Sequence, residues 1–249
     1  MLNLLSAGFG VGAVLSPLIV GFAGGDLRTP LFICVGLAAM LLPALFALRG
    51  SSVSAAAPLE LHSGGLHGRV TLAGFIALFL LYVGAEGGIG AWEITHLQDA
   101  LGFSTGTAAQ TASLFWLSFT VGRIVSAPLA LRLEPARLVT GTLVLATFSI
   151  ALAAIPQAAP VAYTLAGFFL APVFTTGLVW LTRTLPSPGA TTWAFASAFL
   201  GPVVFAPLVG GARDLFGPVA IPLTLSGVAF LTLLTAVWLQ RRLGRERVG

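Results

Sequence analysis

The stretch VTLAGFIALFLLYVGAEGGIGAWEI, residues 70–94, decides the fold. As a helix rising 1.5 Å per residue it is long enough to cross the ~30 Å hydrocarbon core of a bilayer. Its only Asp, Glu, Lys or Arg residues are Glu86 and Glu93. A helix of this length on a soluble protein would carry a polar face, and this one does not.

The rest of the chain repeats that chemistry. Of 249 residues, 57% are hydrophobic and 8% are charged, with a mean hydropathy of +1.00. A soluble domain needs about 25% charged residues to solvate its surface. The composition excludes a soluble enzyme, a disordered tail and a secreted disulfide scaffold. The solvent it fits is lipid.

Eight runs qualify as spanning helices: 4–24, 30–48, 70–94, 107–131, 136–155, 159–181, 190–211 and 218–240. The predicted fold class is all-α, a polytopic transmembrane helical bundle. Turn chemistry and most of the charge fill the breaks, as in GGDLRTP (24–30), RLEPAR (132–137), PQAAP (156–160), RTLPSPG (183–189) and RDLFGP (213–218). Pro17, Pro43, Pro128, Pro172, Pro202 and Pro207 fall inside spans. They read as kinks, with re-entrant segments as the alternative. The first span lacks a basic leader and is followed at once by a second, so it does not read as a signal peptide.

Arginine placement orients the bundle. If both termini are cytoplasmic, Arg49, Arg69, Arg132, Arg137, Arg183, Arg241, Arg242, Arg245 and Arg247 lie inside, and only Arg28 and Arg213 lie outside. The segment 50–69, rich in Ser, Ala and Gly, is the long linker of the chain. It divides a two-helix unit, 1–49, from a six-helix unit with a tail, 70–249. Glu60, His62 and His67 in that linker read as solvated residues, because nothing fixes them as metal ligands. Gly8, Gly12 and Ser16 share a face suited to helix packing, as do the pairs Gly21 with Gly25 and Gly84 with Gly88.

Other counts bear on chemistry. The chain has no Lys, so neither a Walker A loop nor a Schiff base can form. Cys34 is the single cysteine, which leaves no internal disulfide, and it reads as a small buried hydrophobe. No HExxH run is present. We expect no enzyme activity, no metal and no cofactor. The net charge of +4 fits basic loops rather than nucleic-acid binding.

Three ionisable residues fall within spans: Glu86, Glu93 and Arg123. Each costs roughly 2.5–3.5 kcal/mol on an insertion scale, so each needs a wet cavity or a partner. Glu86 and Glu93 are seven apart and share a helix face. Gly84, Gly87, Gly88 and Gly90 surround Glu86 and are expected to loosen the helix there, exposing the acid to substrate or proton. Glu86 reads as a functional acid, with a structural role as the alternative. Glu93 lies nearer the outer interface, as a second functional acid or simply a wetted one. Arg123 sits about 12 Å in depth from Glu86 if the helices are straight. It reads as structural, either capping inner helix ends or meeting Glu134. Trp92, Trp116, Trp180 and Trp193 read either as cavity walls or as interface belt and core.

The run LNLLSAGFGVGAVLSPLIVG, 2–21, resembles the fifth helix of major facilitator superfamily transporters. LLYVGAEGGIGAWEITHLQ, 80–98, resembles the seventh helix of the branch with fucose–proton symporters and sodium–glucose transporters. FWLSFTVGRIVSAPLA, 115–130, resembles the eighth helix, with its Gly122-Arg123 pair. The linker then falls where that superfamily joins its two halves. The resemblance implies a partial major facilitator fold with both termini cytoplasmic. It implies substrate or ion-coupling roles for Glu86, Glu93, Trp92, Trp116 and Trp180, and structural or gating roles for Gly122, Arg123 and Arg132.

Two features depart from the pattern. In LRLEPAR, 131–137, Leu131 takes the place of the motif's Asp and Glu134 that of its Gly, so the motif's charge-relay gate is not implied here. Eight spans stand where twelve are expected, beginning at the fifth. The resemblance therefore implies a truncated transporter lacking one wall of its cavity. The expected function is alternating-access transport of a small solute, a sugar or related metabolite, coupled to protons or sodium. Efflux of apolar compounds is the alternative, as is a non-transporting remnant or interaction subunit. The expected partners are the bilayer, the solute, and a second copy or the missing helices.

Overall fold

The computed structural model describes residues 65–246 without a break, together with scattered positions between 12 and 43. Those scattered positions are helical, Arg28 and Thr29 included, although the sequence places these two in a turn. The predicted spans 4–24 and 30–48, the linker up to residue 64, Cys34 and the Gly8–Ser16 face lie outside the continuously described residues.

Six helices follow: α1 (Gly65–Leu101), α2 (Thr105–Arg132), α3 (Pro135–Leu152), α4 (Ala159–Thr184), α5 (Pro188–Phe216) and α6 (Ala220–Glu246). Each is long and apolar enough to cross a membrane. They coincide with the last six predicted spans. α1 begins at Gly65, so His67 and Arg69 occupy its opening turns rather than a linker. It also runs past residue 94, because THLQDA continues the helix after hydropathy falls.

The ends follow local chemistry. Gly102 leaves α1 at φ 67°, the left-handed conformation that glycine adopts without Cβ strain. The Phe103 N–H then donates to the Leu97 carbonyl. Ser104 caps α2 by accepting from the Thr107 N–H at 3.2 Å. Proline occupies the first turn of α3, α4 and α5, where its missing N–H leaves no bond unmade.

α1 is the hub. It packs most extensively on α5 and α6, and also on α2 and α4. α4 packs on α2 and α3, and α3 packs on α6. Pro128, Pro172, Pro202 and Pro207 sit within helices that run on through them. They do not divide re-entrant halves.

The glycines of α1 do not break it, contrary to the expectation from their density. α1 is one helix from Gly65 to Leu101. Its glycines are seats for neighbouring side chains instead. A Cβ on Gly84 would meet Phe205, on Gly87 the Pro202 ring, on Gly88 Leu225, and on Gly90 Trp116. Reciprocally, a Cβ on Gly201 would lie 2.6 Å from the Gly84 nitrogen and closer still to the Leu80 carbonyl oxygen. Lipid tails offer helices no hydrophobic drive to associate, so close backbone approach and dispersion must supply it.

The α2–α4 seam works the same way. A Cβ on Gly122 would stand 2.5 Å from the Phe168 carbonyl oxygen. That carbonyl lies four residues before Pro172, which has no N–H to donate to it. Gly122 is therefore a packing residue that lets α2 close over the gap Pro172 leaves.

Gly201 is the sharpest test of this packing, because backbone rather than side chain stands in the way. Gly201→Ala should lower stability by about 1–3 kcal/mol. The matched control, Gly211→Ala, has open space around it and should be neutral or slightly stabilising. Thermal melts of both variants in one detergent check the pair.

Candidate functional site

Tyr82, Glu86, Glu93 and His96 form one stripe along α1, since offsets of 4, 11 and 14 return to nearly the same face of a helix. All four are buried. Two hydrogen bonds pin this stripe to α4. Tyr82 Oη donates to the Leu170 carbonyl at 3.1 Å. Tyr163 Oη and His96 Nδ1 lie 2.9 Å apart. Glu86 and Glu93 fall between these two anchor points along the helix.

The two acids differ in surroundings. Glu86 is 9% exposed and shares its turn with Tyr82. Arg123 on α2 is within electrostatic reach of it. The Arg123 guanidinium lies over the Phe119 ring, 4.6 Å from the centroid. Glu93 is 1% exposed, and among the described residues neither carboxyl oxygen has a hydrogen-bond partner. Tyr163 is within electrostatic reach of Glu93. Glu93 is thus not the wetted interface acid that its distance from the span centre suggested; it is enclosed between α1 and its neighbours.

The tryptophans do not converge on one cavity. Trp92 is half-buried and donates Nε1–H to the Ala206 carbonyl at 2.9 Å, tying α1 to α5. Trp116 is half-buried, lies over Gly90 and packs edge-on against Phe115 and Phe119. It stands on the α2 side between the levels of Glu86 and Glu93. Trp180 is buried and packs edge-on against Phe75, ring centroids 5.2 Å apart. Phe75 is eleven residues before Glu86, about 16 Å along the helix. Trp180 therefore lies by the arginine-rich end, beside Glu134, Arg183 and Thr184, and not beside the acids. Trp193 is exposed.

At the α2–α3 connection, Arg132 is exposed. Glu134 pairs with Arg137 at 3.4 Å, a contact within one turn that is open to water. At the opposite end of the bundle, Arg213 Nε and Nη2 both donate to Asp99 Oδ2, at 2.8 and 2.7 Å. This pair joins the ends of α1 and α5. Sequence reasoning used Arg213 only to orient the bundle and did not pair it with Asp99, because the two are far apart in the chain. His96 and Tyr163 were missed for the same reason, and because the predicted span stopped at residue 94. Of the stripe, the shared face of Glu86 and Glu93 was legible as a periodicity.

The run GFSTG, 102–106, has the G-x-S-x-G spacing of a hydrolase nucleophile, a match the sequence reading passed over. That motif needs a strand before its turn. Here Ser104 caps a helix that follows another helix, so the spacing reflects capping.

No protein-family profile and no curated protein matches the chain. Solved structures do. A structure of the major facilitator superfamily transporter FucP, in the outward conformation, aligns at TM-score 0.63 and 16% identity. It covers 86% of this chain and 54% of that one. A variant of the E. coli fucose:proton symporter FucP aligns at TM-score 0.61 and 17% identity, over 68% of this chain and 42% of that one. The fold resembles part of that of these major facilitator structures. The chain spans about half the length of the solved transporters it matches. It is a multi-pass membrane protein.

The hydrogen bonds that anchor the stripe should register in stability. Tyr163→Phe leaves the buried His96 Nδ1 without its partner, at a cost of about 1–3 kcal/mol. Tyr82→Phe should cost less, because the Leu170 carbonyl keeps its place in helix α4. Melting curves of the two variants give the order.

Proposed function

We propose that this chain takes part in alternating-access transport of a small polar solute, a sugar or related metabolite, with Glu86 as the residue that couples transport to a proton or sodium gradient. The observation that carries the reading is Glu86 itself. It is a buried acid on the hub helix of a major facilitator fold, with Tyr82 one turn away and Arg123 within electrostatic reach. A buried carboxylate in a span is expensive, and a site that exchanges a cation gives that cost a use.

In this reading residues 70–249 form the C-terminal half of the transporter, residues 1–49 belong to the other half, and 50–69 joins them. Both termini face the cytoplasm, which puts the arginine-rich end of the bundle inside. Substrate binds between the halves near the midplane. α2 and α5 flank α1 and bury the smallest shares of their spans, 22% and 33%. They are the helices with most surface left for the opposite half. Trp116 and Trp92 stand on those flanks, as aromatic faces suited to a sugar ring. Gly122 lets α2 pack closely on α4, and Arg123 reaches electrostatically toward Glu86 on α1, so that α1, α2 and α4 move together. The solved neighbour is named as a fucose:proton symporter, which makes fucose and protons the first solute and ion to try.

The test begins with the native product, tagged at its C terminus and extracted from membranes, whose intact mass fixes the assembly to reconstitute. Proteoliposomes are then supplied from outside with labelled fucose and related sugars under a proton or a sodium gradient. Glu86→Gln should cut gradient-driven accumulation at least tenfold, with insertion and expression unchanged. Accumulation at the wild-type level in that variant would remove Glu86 from the mechanism. Absence of gradient-driven sugar uptake by the native product would remove the sugar-transport reading.

A further inference from the structure

The start of α1 and the end of α6 enclose a cavity of about 530 Å³ at the arginine-rich end of the bundle. Its polar lining is His67 from α1 and Arg241, Arg242 and Arg245 from α6. No acid lines it. Arg242 is held in place: its Nε lies 3.4 Å from Thr71 Oγ1 and its guanidinium stacks over Trp238 at 5.7 Å. Arg241 and Arg245 are one turn apart and exposed, and neither makes an ion pair among the described residues.

A second depression, of about 400 Å³, continues from the first along the seam between α1 and α6. Gly74, Ala77, Leu81, Leu231 and Thr235 line it. Leu234 and Trp238 line both. Along α6 the order is therefore aliphatic, then tryptophan, then arginine. That is the order of a bilayer leaflet: acyl chain, interface, charged headgroup. The lengths agree as well. Leu231 to Arg245 spans about 21 Å of helix, and one leaflet with its headgroups is about 20–22 Å thick.

We propose that the α1–α6 seam is a binding site for one anionic phospholipid, its phosphate among Arg241, Arg242, Arg245 and His67, and one acyl chain along Gly74, Ala77 and Leu231. Arginine binds phosphate through a planar fork of N–H donors, and two guanidiniums one turn apart can grip one phosphate from two sides. Trp238 sits where the glycerol backbone would pass. The site lies on the face of α1 opposite α2. It does not depend on the transport reading.

The test is native mass spectrometry of the full chain in detergent, with dioleoyl-phosphatidylglycerol and dioleoyl-phosphatidylcholine competing at equal concentration and inorganic phosphate in a separate arm. Wild type should retain one phosphatidylglycerol at least fivefold over phosphatidylcholine. The combined variant Arg241→Gln, Arg242→Gln, Arg245→Gln should lose that preference, and the corresponding Lys variant should keep part of it. Ala77→Phe, which fills the groove and leaves the arginines in place, should release the lipid. Unchanged circular dichroism in each variant shows that the helices remain. Equal retention of the two lipids, or a preference that survives the Gln or the Ala77→Phe variant, overturns the assignment. Competition by millimolar phosphate, with no dependence on the acyl chains, overturns it in favour of a free-anion site.

Discussion

Gly201 meets the backbone of α1 at Leu80 and Gly84, and the rest of the bundle depends on that approach. In water, burying apolar side chains would drive α1 and α5 together. In lipid that drive is absent, and association must come from packing at close range. Glycine on both sides of the seam brings the backbones near enough for Phe205, Pro202 and Trp92 to interlock with the opposite helix. α1 is then fixed against α5 along much of its length, and its remaining faces are left for α6, α2 and α4.

The same constraint governs the polar groups. Nothing in hydrocarbon replaces a lost hydrogen bond, so most side-chain hydroxyls in the described spans find a carbonyl. Threonine and serine hydroxyls mostly turn back onto their own helix, as Thr120 does to the Trp116 carbonyl. Longer reaches are the informative ones. Tyr82 to Leu170, Trp92 to Ala206, and Tyr163 with His96 each join two helices. They fix the rotation of α1, which sets where Glu86 and Glu93 point. Glu93, with neither carboxyl oxygen hydrogen-bonded among the described residues, departs from this satisfaction, and the acid at Glu86 is its neighbour on the same stripe.

The legibility of this protein is uneven, and the reasons are physical. The six described helices were readable because hydropathy and turn residues act locally. The end of α1 was not, because THLQDA is polar enough to leave the hydrocarbon while remaining helical. The glycine cluster misled because propensity counts what glycine costs a helix, and omits what it gains by seating Phe205 and Leu225. Trp116 and Trp180 looked equivalent from the sequence, both interior to their spans. One packs over Gly90 near the acids, and the other packs on Phe75 toward the arginine-rich end. Depth along a helix was calculable; which neighbour filled that depth was not.

Composition and periodicity by themselves determined that the chain suits a bilayer, where its six described helices lie, and that two acids share a face of the hub helix. These follow from transfer energies and from the 3.6-residue repeat, which involve one segment at a time. Only the tertiary structure decided that the glycines are seats, that His96 and Tyr163 close one end of the acid stripe, and that α1 and α6 combine an apolar groove with three arginines. Each of these is a meeting of residues far apart in the chain, and contacts of that kind are fixed by packing between helices.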